Sequence, residues 1–124
     1  MDFHMKSINL GLIGFGTVGA GVVKILRQNE GIIERKLGAK LNLKWIADLD
    51  IERDRGVKVE KNILTKDAYV VLNDPSVDIV IELIGGYEPA RTFILHALKN
   101  KKHVVTANKA LLAKDGSEIF ETVS

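Results

Sequence analysis

Three glycines at a fixed spacing are the first residues in this sequence that point to chemistry. Gly14, Gly16 and Gly19 form the pattern G-x-G-x-x-G. The apolar run 8–13 before them predicts a buried strand, and the apolar periodicity of 18–26 after them predicts a helix. In such a unit the first glycine permits the turn, the second lets a pyrophosphate approach the main chain, and the third lets the helix pack closely on the strand. We therefore predict a dinucleotide site here; a tight turn without a ligand is the alternative.

An acidic residue, Asp48, ends the second predicted strand, 41–48. Dinucleotide-binding folds commonly place an acid at this point, where it accepts hydrogen bonds from the adenosine ribose hydroxyls and repels a 2′-phosphate. Its distance from the glycines is longer than usual because a second helical stretch, 32–37, lies between them. Arg53 and Arg55 follow closely and can bind a 2′-phosphate. The sequence thus leaves NAD and NADP open, with NAD favoured, and a solvated strand end is the alternative for Asp48.

A carboxylate interrupts another apolar strand. Glu82 lies in the otherwise apolar run 78–84. A buried carboxylate must be hydrogen-bonded or paired, so we interpret Glu82 as structural, with a catalytic role as the alternative. Gly85 and Gly86 follow at the sheet edge where ligands bind, and backbone without side chains there lets a nicotinamide ribose lie close. The histidines lack metal-ligand spacing and no cysteine accompanies them, so no metal site is expected.

The rest of the sequence continues to alternate predicted strands and helices. In the second strand, Leu41, Leu43 and Trp45 are expected on one face. The lysines that follow the helix beginning at Pro89 are expected to form a solvated helix end, where cations are favoured. The alternation predicts an α/β fold of Rossmann type, a single nucleotide-binding domain with a doubly wound, mainly parallel sheet. The further predicted elements are a short strand at 63–64, a helix at 66–72 capped by Thr65, a strand at 103–107 and a helical run from Asn108 to Ala113.

Length and composition narrow the class of protein. The 124 residues suffice for one domain, which is expected at 6–124 after an extension of residues 1–5. The sequence is 46% apolar and 27% charged, as in globular proteins. A net charge of +2 does not indicate nucleic acid or a membrane surface as a partner. No apolar run reaches the roughly 18 residues of a membrane helix. A cytoplasmic location is expected, since the absence of cysteine fits a reducing compartment. A secretory signal is the alternative for the apolar amino terminus, but glycines interrupt its apolar stretch.

Three sequence blocks together resemble homoserine dehydrogenase. They are 11–19, 82–86 and 106–111, which read GLIGFGTVG, ELIGG and TANKAL. The first block is shared by many dinucleotide enzymes, whereas the other two, in this order and spacing, are more specific. The resemblance extends over the chain from Lys6 onward. It implies an enzyme that reversibly reduces aspartate 4-semialdehyde to homoserine with NAD or NADP, on the route to threonine and methionine.

The resemblance also implies roles for individual residues. Lys109 is expected to stand beside the nicotinamide and the substrate, as a cofactor contact and as the catalytic residue of this part of the chain. A helix lysine that points to solvent is the alternative. The other residues that the resemblance places at the cofactor are Phe15, Thr17, Val18, Ile84, Thr106 and Asn108.

In that family a substrate-binding and dimer-forming region, with a second catalytic lysine, would begin just after Ser124. The sequence is therefore expected to be the amino-terminal part of a homodimeric enzyme, able to bind dinucleotide but inactive by itself. Two other functions stay open. A nucleotide sensor of the kind attached to potassium transporters would share the glycines and the acid but has no need of Lys109. A different dehydrogenase, acting on sugars or amino-acid precursors, would share the fold.

Overall fold

A computed structural model describes residues 6–106 of the chain. Their backbone forms five strands and four helices, joined by loops that include one 3₁₀ turn at Lys61–Ile63. The expectations that fall on 107–124, including the helix from Asn108, lie outside the described residues. In chain order the elements are β1 (Lys6–Ile13), α1 (Thr17–Gln28), α2 (Glu30–Leu37), β2 (Ala39–Ala47), β3 (Leu64–Thr65), α3 (Ala68–Asn73), β4 (Ile79–Glu82), α4 (Ala90–Lys99) and β5 (His103–Thr106).

The five strands form one parallel sheet in the order β3-β2-β1-β4-β5. α1 and α2 cover one face of this sheet, and α3 and α4 cover the other. The prediction of a doubly wound Rossmann-type sheet is confirmed. The strand order reverses between β1 and β4, and the carboxyl ends of these strands border the crevice where such sheets bind ligands.

Each face of the sheet has its own apolar core. Neighbouring residues of β1, Leu12 and Ile13, enter opposite cores because side chains alternate along a strand. This double burial explains why the first predicted strand is apolar almost throughout. The core under α1 contains Leu12, Phe15, Ala20, Val23 and Ile46. The core under α3 and α4 contains Ile13, Ala47, Val71, Leu72, Val77, Val80 and Ala97.

The expectation of a simple alternation along β2 is wrong. Leu10 pairs with Leu43 but Gly11 pairs with Trp45, so Lys44 is an extra residue that shifts the register. One extra residue turns the following side chains to the other face. Leu43 accordingly packs on the core under α1, and Trp45 packs on the core under α3 and α4.

The start of α3 also differs from the sequence prediction. Thr65 was expected to cap this helix, but Thr65 lies in β3 and the helix begins later. The cap is Asp67, whose side chain accepts a hydrogen bond from the Tyr69 N–H at 2.9 Å. The Thr65 hydroxyl accepts instead from the Asp67 N–H at 3.1 Å, which shapes the turn before the helix.

One lysine after α4 is buried, although the sequence predicted a solvated cluster. The Lys102 residue is 6% exposed, and its ammonium donates to the main-chain oxygens of Asp74 at 2.6 Å and Val77 at 3.0 Å. Burial lowers the pKa of Lys102, and the nearby carboxylates of Asp74 and Asp78 oppose this effect. Lys102 therefore holds the loop that leads from α3 into β4.

Residues 6–106 contain neither a membrane-spanning helix nor a cluster of metal-ligating side chains. The longest described helix, α1, has 12 residues, and no helix in 6–106 is long and apolar enough to cross a membrane. Over the same range, no three histidine or acidic side chains gather as possible metal ligands.

Candidate functional site

The glycine loop between β1 and α1 closes through two tight contacts. Gly14 has φ at +103°, a conformation that side chains rarely adopt, and its N–H donates to the Ala47 oxygen at 2.9 Å. A Cβ on Gly19 would lie 2.2 Å from the Gly14 oxygen, so α1 packs directly on the loop. Gly16 differs from both, because a Cβ there would meet no atom within 4 Å. The first and third glycines thus serve the fold, and Gly16 leaves space above the main chain.

The amino terminus of α1 is suited to an anion. No side chain caps it, and its first turn contains no acidic residue. The first N–H groups of a helix have no partner within the helix, and the helix dipole makes them an attractive site for phosphate. Thr17 and Val18, the first two residues of α1, are exposed at this end.

Asp48 lies against the glycine loop. One carboxylate oxygen, Oδ2, accepts a hydrogen bond from the Phe15 N–H at 2.7 Å. The other oxygen accepts from the Asp50 N–H at 2.9 Å and forms an ion pair with Arg55 at 3.3 Å. The Asp48 side chain remains 22% exposed. Asp48 therefore joins the end of β2 to the glycine loop and keeps part of its carboxylate accessible.

Arg55 is fixed in place, whereas the sequence suggested an arginine free to move toward a ligand. Its side chain is 5% exposed, and its guanidinium carbon lies 4.8 Å from the centre of the Phe15 ring. The guanidinium also donates to the main-chain oxygens of Arg53, at 2.8 Å, and of Asp50. Its Nε is buried and has no hydrogen-bond partner among the described residues. Arg53 itself is exposed.

A cavity of about 330 Å³ opens beside Gly14 and Asp48, at the carboxyl edge of the sheet. Its wall includes apolar and aromatic side chains from α3, from the segment after β4 and from α4. A wall of this kind matches a flat, largely apolar ring. The side chains on this wall that sequence reasoning did not assign to a site include Ala68, Tyr69, Pro89 and Phe93.

The carboxyl end of β4 forms the other half of the site. A Cβ on Gly14 would lie 3.1 Å from the Ile84 nitrogen and 3.3 Å from its side chain, so the two loops touch. Gly85 and Gly86 are exposed, with open space where a Cβ would stand. Main chain without side chains is therefore exposed directly after Ile84, at this edge of the sheet.

Glu82 is buried in the sheet beside this edge. It is 1% exposed, it pairs in register with Ile13 and Thr106, and its Oε1 accepts a hydrogen bond from the Thr106 hydroxyl at 2.6 Å. Its Oε2 has no partner among the described residues. Burial raises the pKa of Glu82, while the Thr106 hydroxyl and the Ile84 amide favour the charged form. The carboxyl group connects the ends of β4 and β5, which agrees with a structural interpretation.

The structure brings most of the residues predicted for the site to one edge of the sheet. The loop 14–19, Asp48, the segment 84–86 and Thr106 all lie at or directly after the carboxyl ends of β1, β2, β4 and β5. Asn108 and Lys109 lie outside the described residues. The sequence did not predict that Tyr69 and Phe93 line the cavity, because an aromatic residue on the apolar face of a helix has the pattern of an ordinary core residue.

Comparisons with known proteins agree with this geometry. Residues 14–124 match the family model described as the NAD-binding domain of homoserine dehydrogenase. The homoserine dehydrogenase of Bacillus subtilis is 46% identical over 116 residues, which are 94% of this chain and 27% of that protein. The homoserine dehydrogenase of Methylobacillus glycogenes is 49% identical over 88% of this chain and 26% of its own length.

Solved structures show the same relationship in three dimensions. A crystal structure of S. aureus homoserine dehydrogenase superposes with a TM-score of 0.89 at 42% identity, covering 97% of this chain and 30% of that one. The chain thus spans about a quarter to a third of the length of these relatives. The chain belongs to the family of homoserine dehydrogenase NAD-binding domains.

Proposed function

We propose that this chain binds NAD or NADP across the carboxyl edge of its sheet. The observation that carries the proposal is the contrast within the glycine loop. Gly19 must lack a side chain because of packing, whereas nothing in the fold itself requires Gly16 to lack one. The space above Gly16 adjoins the uncapped end of α1, where the pyrophosphate of a dinucleotide meets N–H groups and a positive dipole end.

The position proposed for the pyrophosphate determines where the other parts of the cofactor lie. On the β2 side, Asp48 accepts hydrogen bonds from the adenosine ribose, and the apolar cavity beside it takes the adenine ring. On the β4 side, Gly85 and Gly86 let the nicotinamide ribose approach the main chain. Phe15, Thr17, Val18, Ile84 and Thr106 are proposed to contact the cofactor between these ends. Asn108 and Lys109, which lie outside the described residues, are proposed as further cofactor contacts.

We further propose that the whole protein, of which this chain supplies the cofactor domain, interconverts homoserine and aspartate 4-semialdehyde. The bound nicotinamide supplies or accepts the hydride. Lys109 holds the substrate oxygen, and its positive charge stabilises the alkoxide character that develops there. The whole protein is proposed to be a cytoplasmic homodimer whose substrate and subunit contacts lie in the part that the relatives have beyond this chain.

Titration calorimetry of the chain with NAD and NADP tests the binding proposal. Gly16 has extended backbone, which valine also adopts, so Gly16→Val is expected to fold and to lose at least about tenfold in affinity, or about 1.4 kcal/mol, for both cofactors. Gly21→Val is the matched control, because Gly21 also has open space around it but lies farther along α1. Unchanged binding by a folded Gly16→Val chain would exclude the loop as the phosphate site.

A further inference from the structure

We propose that the buried carboxyl group of Glu82 makes this site favour the oxidised, positively charged nicotinamide ring over the reduced, neutral ring. The inference rests on the dinucleotide binding argued above and names a residue that distinguishes the two redox forms of the cofactor. Glu82 acts through its negative charge and touches neither the cofactor nor the substrate. This role adds to its hydrogen bond with Thr106, which connects two strands of the sheet.

Glu82 lies at the edge of the sheet where the nicotinamide half of the cofactor is proposed. It is the last residue of β4, and it pairs in register with the last residues of β1 and β5, Ile13 and Thr106. Gly85, where the nicotinamide ribose is proposed to approach the main chain, follows three residues later. Three residues span at most about 10 Å of extended chain. The carboxyl group of Glu82 is therefore a near neighbour of the proposed nicotinamide site.

Little solvent screens the charge of Glu82, which is 1% exposed. Val80, two residues earlier in the strand, belongs to the core under α3 and α4, and side chains two apart along a strand point to the same face. The carboxyl group therefore points into an apolar core. In such surroundings a charge acts on a ring nearby without touching it, because the attraction between charges falls only with the inverse of distance and the local dielectric constant is below that of water.

No cation of the described residues forms an ion pair with this carboxylate. Its Oε1 accepts the hydrogen bond from the Thr106 hydroxyl at 2.6 Å, and its Oε2 has no hydrogen-bond partner among residues 6–106. None of the ion pairs in that range includes Glu82. A buried charge without a counter-charge costs free energy, and a neutral residue of similar volume would serve the core better. The arrangement therefore indicates a positive group that comes from outside the described residues.

The nicotinamide ring is a cation in one of its two redox forms. In NAD and NADP the ring carries a positive charge, whereas in NADH and NADPH the ring is neutral and the rest of the molecule is the same. A negative charge beside the ring therefore stabilises only the oxidised form. By linkage, tighter binding of the oxidised form makes the bound reduced cofactor a stronger hydride donor, which favours reduction of the aldehyde proposed as substrate.

Titration calorimetry of the full chain and of Glu82→Gln tests the inference. The ligands are the oxidised and reduced forms of NAD and NADP, together with ADP-ribose, which lacks the nicotinamide ring. Glutamine keeps the size of the side chain and an acceptor oxygen for the Thr106 hydroxyl. We expect the affinity for the oxidised forms to fall by at least about threefold relative to the reduced forms. The affinity for ADP-ribose is expected to stay within about twofold.

Asp78→Asn is the matched control. It removes one negative charge just before the amino end of the same strand, at the opposite edge of the sheet, and it keeps an acceptor oxygen for the Asn9 N–H, which donates to Asp78 at 2.8 Å. The relative affinity for oxidised and reduced cofactor is expected to stay unchanged in this variant. If Glu82→Gln does not fold, Glu82→Leu removes the same charge with an apolar side chain suited to the core and gives the same comparison.

Three results would overturn the inference. An unchanged ratio of affinities in the Glu82 variants would show that the carboxyl group is neutral or that its charge does not reach the ring. Equal losses for the oxidised forms, the reduced forms and ADP-ribose would leave Glu82 with a structural role alone, and an equal shift in Asp78→Asn would show an effect of net charge. In all three cases dinucleotide binding by the wild-type chain keeps the proposed function, whereas a wild-type chain that binds no cofactor refutes both.

Discussion

Replacing Gly19 by alanine tests how closely α1 must approach the glycine loop. The new Cβ would lie 2.2 Å from the Gly14 oxygen and 3.2 Å from the Gly14 carbonyl carbon, and real Cβ contacts are essentially never below 3.0 Å. Both neighbours belong to the main chain, so no side chain can turn away to make room. The helix and the loop must therefore move apart.

The size of the effect follows from two opposing contributions. Forcing extra volume into a packed contact costs about 1–3 kcal/mol. Alanine in place of glycine inside a helix returns up to about 1 kcal/mol. With the full helix gain, we expect Gly19→Ala to lower the free energy of unfolding by up to about 2 kcal/mol relative to the wild type, and by about 1–3 kcal/mol relative to a helix glycine-to-alanine change without the close contact. We also expect weaker dinucleotide binding, because the N–H groups of the displaced loop no longer point toward the phosphates.

Gly21→Ala is the control, since it makes the same chemical change in the same helix with no atom within 4 Å of the new Cβ. It is expected to raise stability by up to about 1 kcal/mol through helix propensity alone. Urea denaturation followed by far-ultraviolet circular dichroism measures both variants. If Gly19→Ala is as stable as Gly21→Ala, the close contact between α1 and Gly14 does not exist in solution.

Two further predictions concern Glu82 and Lys109. Because burial raises the pKa of Glu82, the carboxyl group of Glu82 binds its proton more tightly in the folded chain than in the unfolded chain, so the folded state loses stability as the pH rises from the ordinary pKa of 4.5 through the raised pKa. Glu82→Gln should abolish this loss in thermal unfolding curves recorded across pH. An unchanged pH profile in this variant would contradict the assignment to Glu82. In the proposed full-length dehydrogenase, Lys109→Ala is expected to lower kcat roughly a hundredfold to a thousandfold with little change in dinucleotide affinity, as for removal of one preorganised donor. Steady-state kinetics with normal kcat and kcat/KM would refute a catalytic role.

The fold was predictable where the local sequence pattern and the order of the elements along the chain favour the same structure. The apolar run 8–13, the glycines after it and the periodic residues of α1 each favour the same strand-turn-helix unit, and the later alternation of strands and helices favours a parallel sheet. Asp48 was predictable for a similar reason, since an acid at the end of a strand next to β1 must lie near the loop that follows β1.

Other features depend on contacts that no local pattern reports. The extra residue at Lys44 is visible only from the pairing of β2 with β1, so the opposite orientations of Leu43 and Trp45 were missed. Lys102 looks like a solvated lysine after a helix, and its burial follows from the two carbonyl groups that the loop before β4 turns toward it. The fixed position of Arg55 likewise requires Phe15, which is distant in sequence.

Phe15 connects the core under α1 to Asp48 and Arg55 beside the glycine loop. Its ring is 3% exposed in the core under α1 and lies beneath the Arg55 guanidinium, while its N–H is held by Asp48. A substitution that displaces Phe15 is therefore expected to disturb its core neighbours Leu12, Val23 and Ile46 together with the Asp48–Arg55 ion pair. A dinucleotide that binds only the folded chain is expected to stabilise this core and the site together.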